Sequence, residues 1–381
     1  MKVLVVGAGF AGLAAAFAAR KAGAQVTVVH QGVGGSALYA GVVDDSLQSL
    51  DAPVQTALQE LGSALGLALP PACVVATREG VVRSVAGADT ALLNLAPLAG
   101  KRIGLVDVPR DDWDAPLLLR SFNDSSWARE TGTQFQLVPL ELLEKGHQRR
   151  TSPFDFAAGF ERAERPAWLA EVLKAHAGPD AWLFGPWLAI KRPLARELSS
   201  AVGVPVGEVT SPPGGAAGAR FEARRDALLQ SLEAEVVVSR VLAARASAER
   251  VVLQLEGREV SGDTLVLAAG SLVSGAVELT GSLSGAEPAG FQLAISGLPP
   301  LTVRGELGRP VSSLFGVDLA ARGRKLLESV GLPVTVHGQL LGLARVHAAG
   351  DLLAPEPPSV GHALVSGQRA GVRAAQPATT A

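Results

Sequence analysis

The stretch VLVVGAGFAGLAAAFAA, residues 3–19, decides the fold of this chain. Residues 3–6 form a short apolar run with β-branched side chains, which is typical of a buried parallel strand. Glycines follow at the spacing GxGxxG, and an alanine-rich segment that is predicted to be helical comes directly after them. Residues 25–29 supply a second strand, so the N-terminus predicts a βαβ unit.

The glycine loop of this unit has the chemistry of a dinucleotide site. The first glycine allows the tight turn, the second lets a pyrophosphate approach the backbone, and the third lets the helix pack close to the strand. The helix N-terminus adds N–H groups and a partial positive charge. We therefore predict that Gly7, Gly9, Phe10, Ala11 and Gly12 bind the phosphates, the alternative being an unrelated glycine turn.

The end of the second strand departs from the usual pattern. An Asp or Glu there usually accepts hydrogen bonds from the adenosine ribose, whereas this sequence has His30 followed by Gln31. A neutral imidazole or the Gln31 amide could bond the ribose instead. The equally weighted alternative is that His30 is simply exposed at the end of the strand.

The segment QGVGGSALYAGVVDD, residues 31–45, is predicted to be a loop near the ligand because it is rich in glycine and small residues. Ser36 could bond a phosphate, and Ala37 is assigned to the same cofactor site. Tyr39 could face a flavin ring, and packing of this aromatic side chain against the protein is at least as good an explanation.

A further buried strand is predicted at residues 263–268, and the small residues around Gly270 follow it. A helix, a strand and a hairpin precede it within residues 216–255. This strand is predicted to return the chain beside the glycine loop, where the small residues around Gly270 permit close approach to the cofactor. A solitary core strand is the alternative.

A last short strand ends in Gly350 and Asp351, and a helix is predicted over residues 360–374. An Asp at this place in FAD enzymes accepts a hydrogen bond from a ribityl hydroxyl, and the next helix directs its N-terminus at the pyrimidine end of the flavin. The motifs occur in the order expected for FAD. We therefore predict FAD rather than NAD, with FMN as the less favoured flavin.

The predicted fold class is α/β. An FAD-binding Rossmann-type parallel sheet is accompanied by a three-stranded β-meander and an inserted, mostly helical cap or substrate domain. The expected boundaries are 1–50, 205–280 and 341–376 for the discontinuous FAD-binding domain, 51–204 and 281–340 for the inserted domain, and 377–381 for a disordered tail.

Composition excludes several classes of protein. The 381 residues carry a net charge of −2, so there is no basic surplus for nucleic acid. The single cysteine, Cys73, excludes a disulfide within the chain and an iron–sulfur cluster held by cysteine alone. We expect a cytoplasmic protein that could dock peripherally at the inner membrane through a partner.

Candidate catalytic side chains are few. Three histidines could carry protons, although each is more often structural, and three arginines form either a solvated helix face or a pocket for a phosphate. No Ser/His/Asp grouping and no metal-ligand spacing stands out, so we assign neither a catalytic residue nor a metal ligand. The side chains concerned are His337, His347 and His362, and Arg220, Arg224 and Arg225.

Six segments together resemble the B subunit of anaerobic glycerol-3-phosphate dehydrogenase. The resemblance extends over most of the chain in the same order, and SALYAG and AAGSLVSGA are its most telling pieces. The segments are VLVVGAGFAGLAAA (3–16), GGSALYAGVVDD (34–45), KRIGLVDV (101–108), AWLFGPWLAI (181–190), PPGGAAGARFEARRDALLQ (212–230) and DTLVLAAGSLVSGAVEL (263–279).

The resemblance implies a flavin subunit of a three-part enzyme that oxidises glycerol 3-phosphate to dihydroxyacetone phosphate and passes electrons toward quinone. The implied partners are a catalytic flavoprotein subunit and an iron–sulfur subunit that anchors the complex to the membrane. Two alternatives stay open. One is a self-contained FAD enzyme of the amine oxidase or desaturase type, and the other is a non-catalytic subunit that relays electrons through its flavin.

Overall fold

The computed structural model describes residues 1–44, 50–176, 178–281, 290–303, 330–335, 337–353 and 359–376. The predicted tail at 377–381 lies outside the described residues. The chain forms two compact units, and each has its own core. Unit 1 is Met1–Ser36, Leu47–Leu61 and Arg225–Ala381, and unit 2 is Ala37–Ser46 and Gly62–Arg224.

Strands and helices are numbered along the described chain. The strands of unit 1 are β1 Lys2–Val6, β2 Gln25–His30, β12 Glu235–Val238, β13 Val241–Ala246, β14 Val251–Leu255, β15 Glu259–Gly262, β16 Thr264–Leu267, β17 Val277–Thr280, β18 Gly290–Leu293, β19 Thr302–Val303, β20 Val330–Gly331 and β21 Val346–Ala348. Its helices are α1 Phe10–Lys21 and α9 Val360–Ala374, and two others, α2 Ala52–Ala64 and α8 Ala216–Ser231, continue from one unit into the other.

A five-stranded parallel sheet organises unit 1, in the order β12-β2-β1-β16-β21. The strand β1 lies at its centre, and Val3, Leu4 and Val5 are fully buried, as the apolar run predicts. The strands β13, β14 and β15 form an antiparallel meander. The predicted Rossmann-type sheet and its β-meander are therefore confirmed.

The helices α1 and α9 of unit 1 pack with their backbones in close contact. A Cβ added at Gly367 would collide with the carbonyl oxygen of Ala11, and one added at Gly371 would collide with that of Ala15. Because these two glycines are one helical turn apart, they present a single smooth stripe to α1. The alanine-rich sequence of α1 supplies the matching surface.

A second parallel sheet organises unit 2. It contains β8 Arg102–Asp107, β9 Gln134–Pro139, β10 Ala181–Phe184 and β11 Val206–Glu208, in the order β11-β10-β8-β9. Along the sequence, β8 is followed by its neighbour β9. The chain then returns to β10 on the other side of β8 and continues to β11, so the order of the strands changes direction between β8 and β10. The remaining strands form two small antiparallel sheets. These strands are β3 Val42–Val43, β4 Leu67–Ala68, β5 Cys73–Ala76, β6 Val82–Val85 and β7 Gly87–Asp89, and the helices of unit 2 are α3 Ala115–Asn123, α4 Ser126–Thr131, α5 Pro153–Gly159, α6 Arg165–Lys174 and α7 Leu194–Val202.

An aromatic cluster holds the core of unit 2 beside this sheet. The Arg110 guanidinium carbon lies 4.6 Å from the ring centre of Phe156 and 5.3 Å from that of Trp187. Trp113 meets Trp187 edge to face, and its indole N–H donates to the Val106 carbonyl at 2.9 Å. The apolar stretch after β10 is therefore core rather than a continuation of the strand.

The structure groups four segments differently from the sequence-based boundaries. Two of them lie near the N-terminus, where Ala37–Ser46 belongs to unit 2 and residues 51–61 belong to unit 1. Described residues of 281–340 contribute Phe291, Ile295 and Leu301 to the core of unit 1, although the sequence places this region in the inserted domain. Residues 205–224 belong to unit 2 because β11 pairs with β10. Unit 2 is also α/β, rather than mostly helical.

None of the described helices is both long and apolar enough to cross a membrane.

Candidate functional site

The glycine loop of unit 1 connects β1 to α1, and its backbone geometry requires glycine. Gly7 has φ +108°, and a Cβ there would collide with the Ala268 carbonyl. A Cβ at Gly12 would collide with the Gly7 carbonyl, and one at Gly9 would lie 2.7 Å from Ser36 Oγ. Each glycine thus has the role that a pyrophosphate-binding turn demands.

The N-terminus of α1 fits an anion. Gly9 is its N-cap and supplies no side-chain cap, and the first turn contains no acidic residue. The Phe10 N–H donates to Ser36 Oγ at 3.2 Å, so the predicted phosphate ligand Ser36 lies directly beside the loop. Ala11 is buried in the first turn. These residues form a cradle that the pyrophosphate of FAD fits.

The turn after β16 lies against the same loop. Gly270 has φ +79°, which a residue with a side chain rarely adopts. Ser274 Oγ donates to the Ala269 carbonyl at 2.7 Å and closes the turn over Gly270. Because Gly7 touches Ala268, the chain does return beside the glycine loop as the sequence indicates.

Gly350 and Asp351 follow β21, and they meet both α1 and α9. Gly350 has φ +68°, and a Cβ there would lie 2.9 Å from that of Ala11. The Gly350 N–H donates to Ser366 Oγ at 2.9 Å, which ties this turn to α9. Burial raises the pKa of the Asp351 carboxyl, and the nearby His362 opposes this shift. Unit 1 therefore brings three of the predicted cofactor segments together.

His30 ends β2, and Gln31 is exposed immediately after it. The Gly32 N–H donates to His30 Nδ1 at 3.1 Å. Burial lowers the pKa of His30, as does the charge of Arg225, while the Gly32 hydrogen bond and Asp226 oppose the shift. The ribose-binding role of both residues stays a prediction.

Ala37 and Tyr39 lie in unit 2. The Ala37 carbonyl packs so closely on Gly218 that a Cβ there would collide with it. Tyr39 is buried, and its phenol pKa is raised by burial and by the charge of Asp89, against the effect of Arg220. Tyr39 packs within unit 2, and the flavin-facing role stays a prediction.

A buried ionic cluster in unit 2 is not indicated by the sequence. Arg220 Nε donates to Asp89 Oδ2 at 3.0 Å, and Arg220 Nη2 donates to Glu208 Oε2 at 2.8 Å. Arg220 Nη1 also bonds the carbonyl of Ala189, which has φ +64°. The Arg220 side chain is only 2% exposed, so a solvated helix face is wrong for this residue. The sequence feature that indicates a buried role is the position of Arg220 among small and apolar residues of the predicted helix.

The three candidate histidines differ in their surroundings. Burial, assisted by Arg373, lowers the pKa of His347 to about 4, so this imidazole is neutral at neutral pH. His337 is exposed in a turn. His362 lies in the first turn of α9, beside Asp351. The described residues contain no cluster of His, Cys, Asp and Glu able to hold a metal ion.

The model of the FAD binding domain family matches residues 2–86, which include the glycine loop and the loop after β2. No curated protein matches the sequence. FAD binding by this chain follows from the family match together with the geometry of the loop.

Solved structures of flavoproteins are similar to parts of the chain. HpxO from Klebsiella pneumoniae, complexed with FAD and uric acid, is 15% identical over 71% of this chain and 39% of that chain, with a TM-score of 0.27. The anhydrotetracycline hydroxylase OxyS from Streptomyces rimosus is 12% identical over 76% and 36%, with a TM-score of 0.28. The chain thus spans less than half the length of either protein. Cyclohexylamine oxidase from Brevibacterium oxydans is 18% identical over 71% and 58%, with a TM-score of 0.25.

The family match and the glycine cradle on a Rossmann-type sheet together show that this chain is an FAD-binding flavoprotein.

Proposed function

We propose that this chain is the B-type flavin subunit of an anaerobic glycerol-3-phosphate dehydrogenase. The enzyme oxidises glycerol 3-phosphate to dihydroxyacetone phosphate, and its electrons pass toward quinone. The observation that carries the proposal is the ordered set of segments resembling that family, above all SALYAG and AAGSLVSGA.

The placement of these segments supports the proposal. The AAGS turn, residues 268–271, lies against the glycine loop, because the Ala268 carbonyl packs on Gly7. Ser36, which begins SALYAG, accepts the hydrogen bond of the Phe10 N–H. Two segments chosen for their resemblance thus flank the cradle that fits the pyrophosphate.

The chain's own residues hold and orient the cofactor in this proposal. Gly7, Gly9 and Gly12 admit the pyrophosphate, and the N-terminus of α1 stabilises its charge. Gly350 and Asp351 hold the ribityl chain beside α1 and α9. When bound, FAD supplies the two-electron redox chemistry.

Cysteine chemistry supports a partner for the onward electron transfer. The chain has one cysteine, Cys73, and burial raises the pKa of its thiol to about 11. An iron–sulfur cluster is held by about four cysteine thiolates. The proposed partners are therefore a catalytic flavoprotein subunit and an iron–sulfur subunit that brings the complex to the membrane.

Anaerobic titration of the FAD-loaded chain tests the proposal, first alone and then with the two partner subunits. We expect glycerol 3-phosphate, and not glycerol, to bleach the flavin absorbance when the partners are present. Gly12→Ala should contain no flavin and show no bleaching, since its Cβ would collide with the Gly7 carbonyl. Gly146→Ala is the matched control, because a Cβ at Gly146 meets open space.

The outcomes separate the three candidate functions. Bleaching that requires the partners supports a B-type subunit and favours electron relay over direct substrate oxidation by this chain. Bleaching of the lone chain by an amine, with no response to glycerol 3-phosphate, would establish a self-contained oxidase instead. A fully assembled complex whose flavin ignores glycerol 3-phosphate overturns the proposed substrate.

A further inference from the structure

His30, the residue expected beside the adenosine ribose, differs in hydrogen-bonding character from the Asp or Glu of a usual dinucleotide site. His30 is the last residue of β2, and the Gly7 N–H donates to the carbonyl of the preceding Val29 at 2.8 Å. His30 therefore lies at the carboxyl end of the parallel strands, where the glycine loop begins. An acid at this position accepts hydrogen bonds from the ribose hydroxyls.

The tautomer of His30 follows from its backbone neighbour. The Gly32 N–H can only donate, and it points at His30 Nδ1 at 3.1 Å, so Nδ1 must be the acceptor nitrogen. In the neutral imidazole the proton then lies on Nε2. Burial and the charge of Arg225 lower the pKa of His30, which favours the neutral ring. His30 thus offers an N–H donor where other chains offer a carboxylate.

The charge of an arginine side chain acts on the same histidine. The charge of Arg225, on α8, lowers the pKa of His30, and Asp226 is the charged group that opposes it. Arg225 Nε donates to Asp226 Oδ1 at 2.8 Å, and the arginine side chain is 13% exposed. Within the described part of the chain, Arg225 Nη1 and Nη2 and His30 Nε2 have no hydrogen-bond partner.

We propose that this chain recognises the adenosine ribose with donors, the His30 Nε2–H and the Arg225 guanidinium, and that the same position accepts an adenine nucleotide carrying a 2′-phosphate. A carboxylate at this place repels a 2′-phosphate, whereas a nearby arginine accommodates one. The proposal rests on FAD binding and is independent of the glycerol 3-phosphate activity.

Competition for the FAD site tests directly whether the ribose position favours a 2′-phosphate. FAD is displaced from the full chain with adenosine 2′,5′-bisphosphate or with adenosine 5′-monophosphate, which differ only in the 2′-phosphate, and the released flavin fluorescence is recorded. We expect the bisphosphate to compete about tenfold better, as one charge-assisted hydrogen bond provides. Better competition by the monophosphate would overturn the proposal.

Three variants assign the effect to these residues. Arg225→Gln should reduce the preference to about one, whereas Arg245→Gln, which removes the same charge at an exposed arginine paired with Glu259, should keep it. His30→Glu should reverse the preference, because it restores the repelling carboxylate. A preference unchanged in both Arg225→Gln and His30→Glu would place the bisphosphate elsewhere and overturn the assignment.

Nitrogen-15 NMR of the histidine rings gives a readout independent of nucleotide. The His30 resonances are identified by their loss in His30→Gln, and we expect the proton on Nε2 and a bare Nδ1. A proton on Nδ1 would overturn the donor role. A chain that holds FAD but rejects the bisphosphate would also overturn it, while leaving the glycerol 3-phosphate proposal intact.

Discussion

Glu208 is a buried carboxyl group at the end of β11. Its side chain accepts hydrogen bonds from Arg220 Nη2 and from the Leu188 N–H. Burial raises the pKa of Glu208 from 4.5 to about 7, and the charge of Asp89 adds to the shift while Arg220 opposes it. A carboxyl group whose folded-state pKa is raised stabilises the protein below its unfolded pKa, and this contribution is lost as the pH rises through the folded value.

Glu208→Gln should therefore change how stability depends on pH. We expect the stability of the wild type relative to this variant to fall as the pH rises from 4.5 to about 7, because only the wild type must ionise a buried carboxyl. Urea unfolding at several pH values measures the difference. Glu197→Gln, which breaks a partly exposed pair with Arg192, should show no such fall. Parallel pH profiles for wild type and Glu208→Gln would contradict the prediction.

The residues that sequence alone could identify are those whose role is local. The glycines of the loop, Gly270 and Gly350 are required by their own backbone turns, so their spacing reveals them. The cluster of Asp89, Glu208 and Arg220 was not foreseeable, because Asp89 and Arg220 are 131 residues apart. The donor character of His30 likewise depends on where the Gly32 N–H points.

At the scale of elements, the α1–α9 pair depends on glycine. Replacing a helical glycine by alanine normally stabilises a helix by about 1 kcal/mol. At Gly367 the sign should reverse, since the added Cβ would collide with the Ala11 carbonyl. We expect Gly367→Ala to cost about 1–3 kcal/mol, as overpacking does.

Bound FAD should also decrease in Gly367→Ala, because Ala11 lies in the first turn after the glycine loop. Thermal unfolding and the ratio of FAD to protein measure the two effects. Gly159→Ala is the control, since a Cβ at this last residue of α5 meets open space. A Gly367→Ala protein at least as stable as the wild type would show that the helices can separate without loss.

The inner strands of the two parallel sheets have mostly apolar sequences. The strands β1, β8, β10 and β16 read as apolar runs because neighbours cover them. The strand β9, QFQLVP, lies at the edge of its sheet and mixes polar with apolar residues. Its pattern therefore resembles that of the polar segment around it, and this is why the sequence predicts a mostly helical domain for residues that fold as α/β.

At the scale of the whole molecule, the two units carry different spectroscopic reporters. All five tryptophans, at positions 113, 127, 168, 182 and 187, lie in unit 2. The glycine loop, the turn at Gly270 and the Gly350–Asp351 pair lie in unit 1. A hydrophobic cluster of buried side chains lies within each unit. Chains with two cores often unfold in more than one step.

Free FAD should therefore stabilise unit 1, which the flavin signal follows, more than unit 2, which the tryptophan signal follows. A ligand that binds only the folded site stabilises it by about 2.7 kcal/mol at a hundred times its Kd. We expect added FAD to raise the temperature at which flavin is released, while the tryptophan transition of unit 2 moves much less. Thermal unfolding followed by flavin and tryptophan fluorescence together, at increasing FAD, makes the comparison. Two signals that stay coincident and shift by the same amount would show that the units unfold as one, with FAD stabilising both.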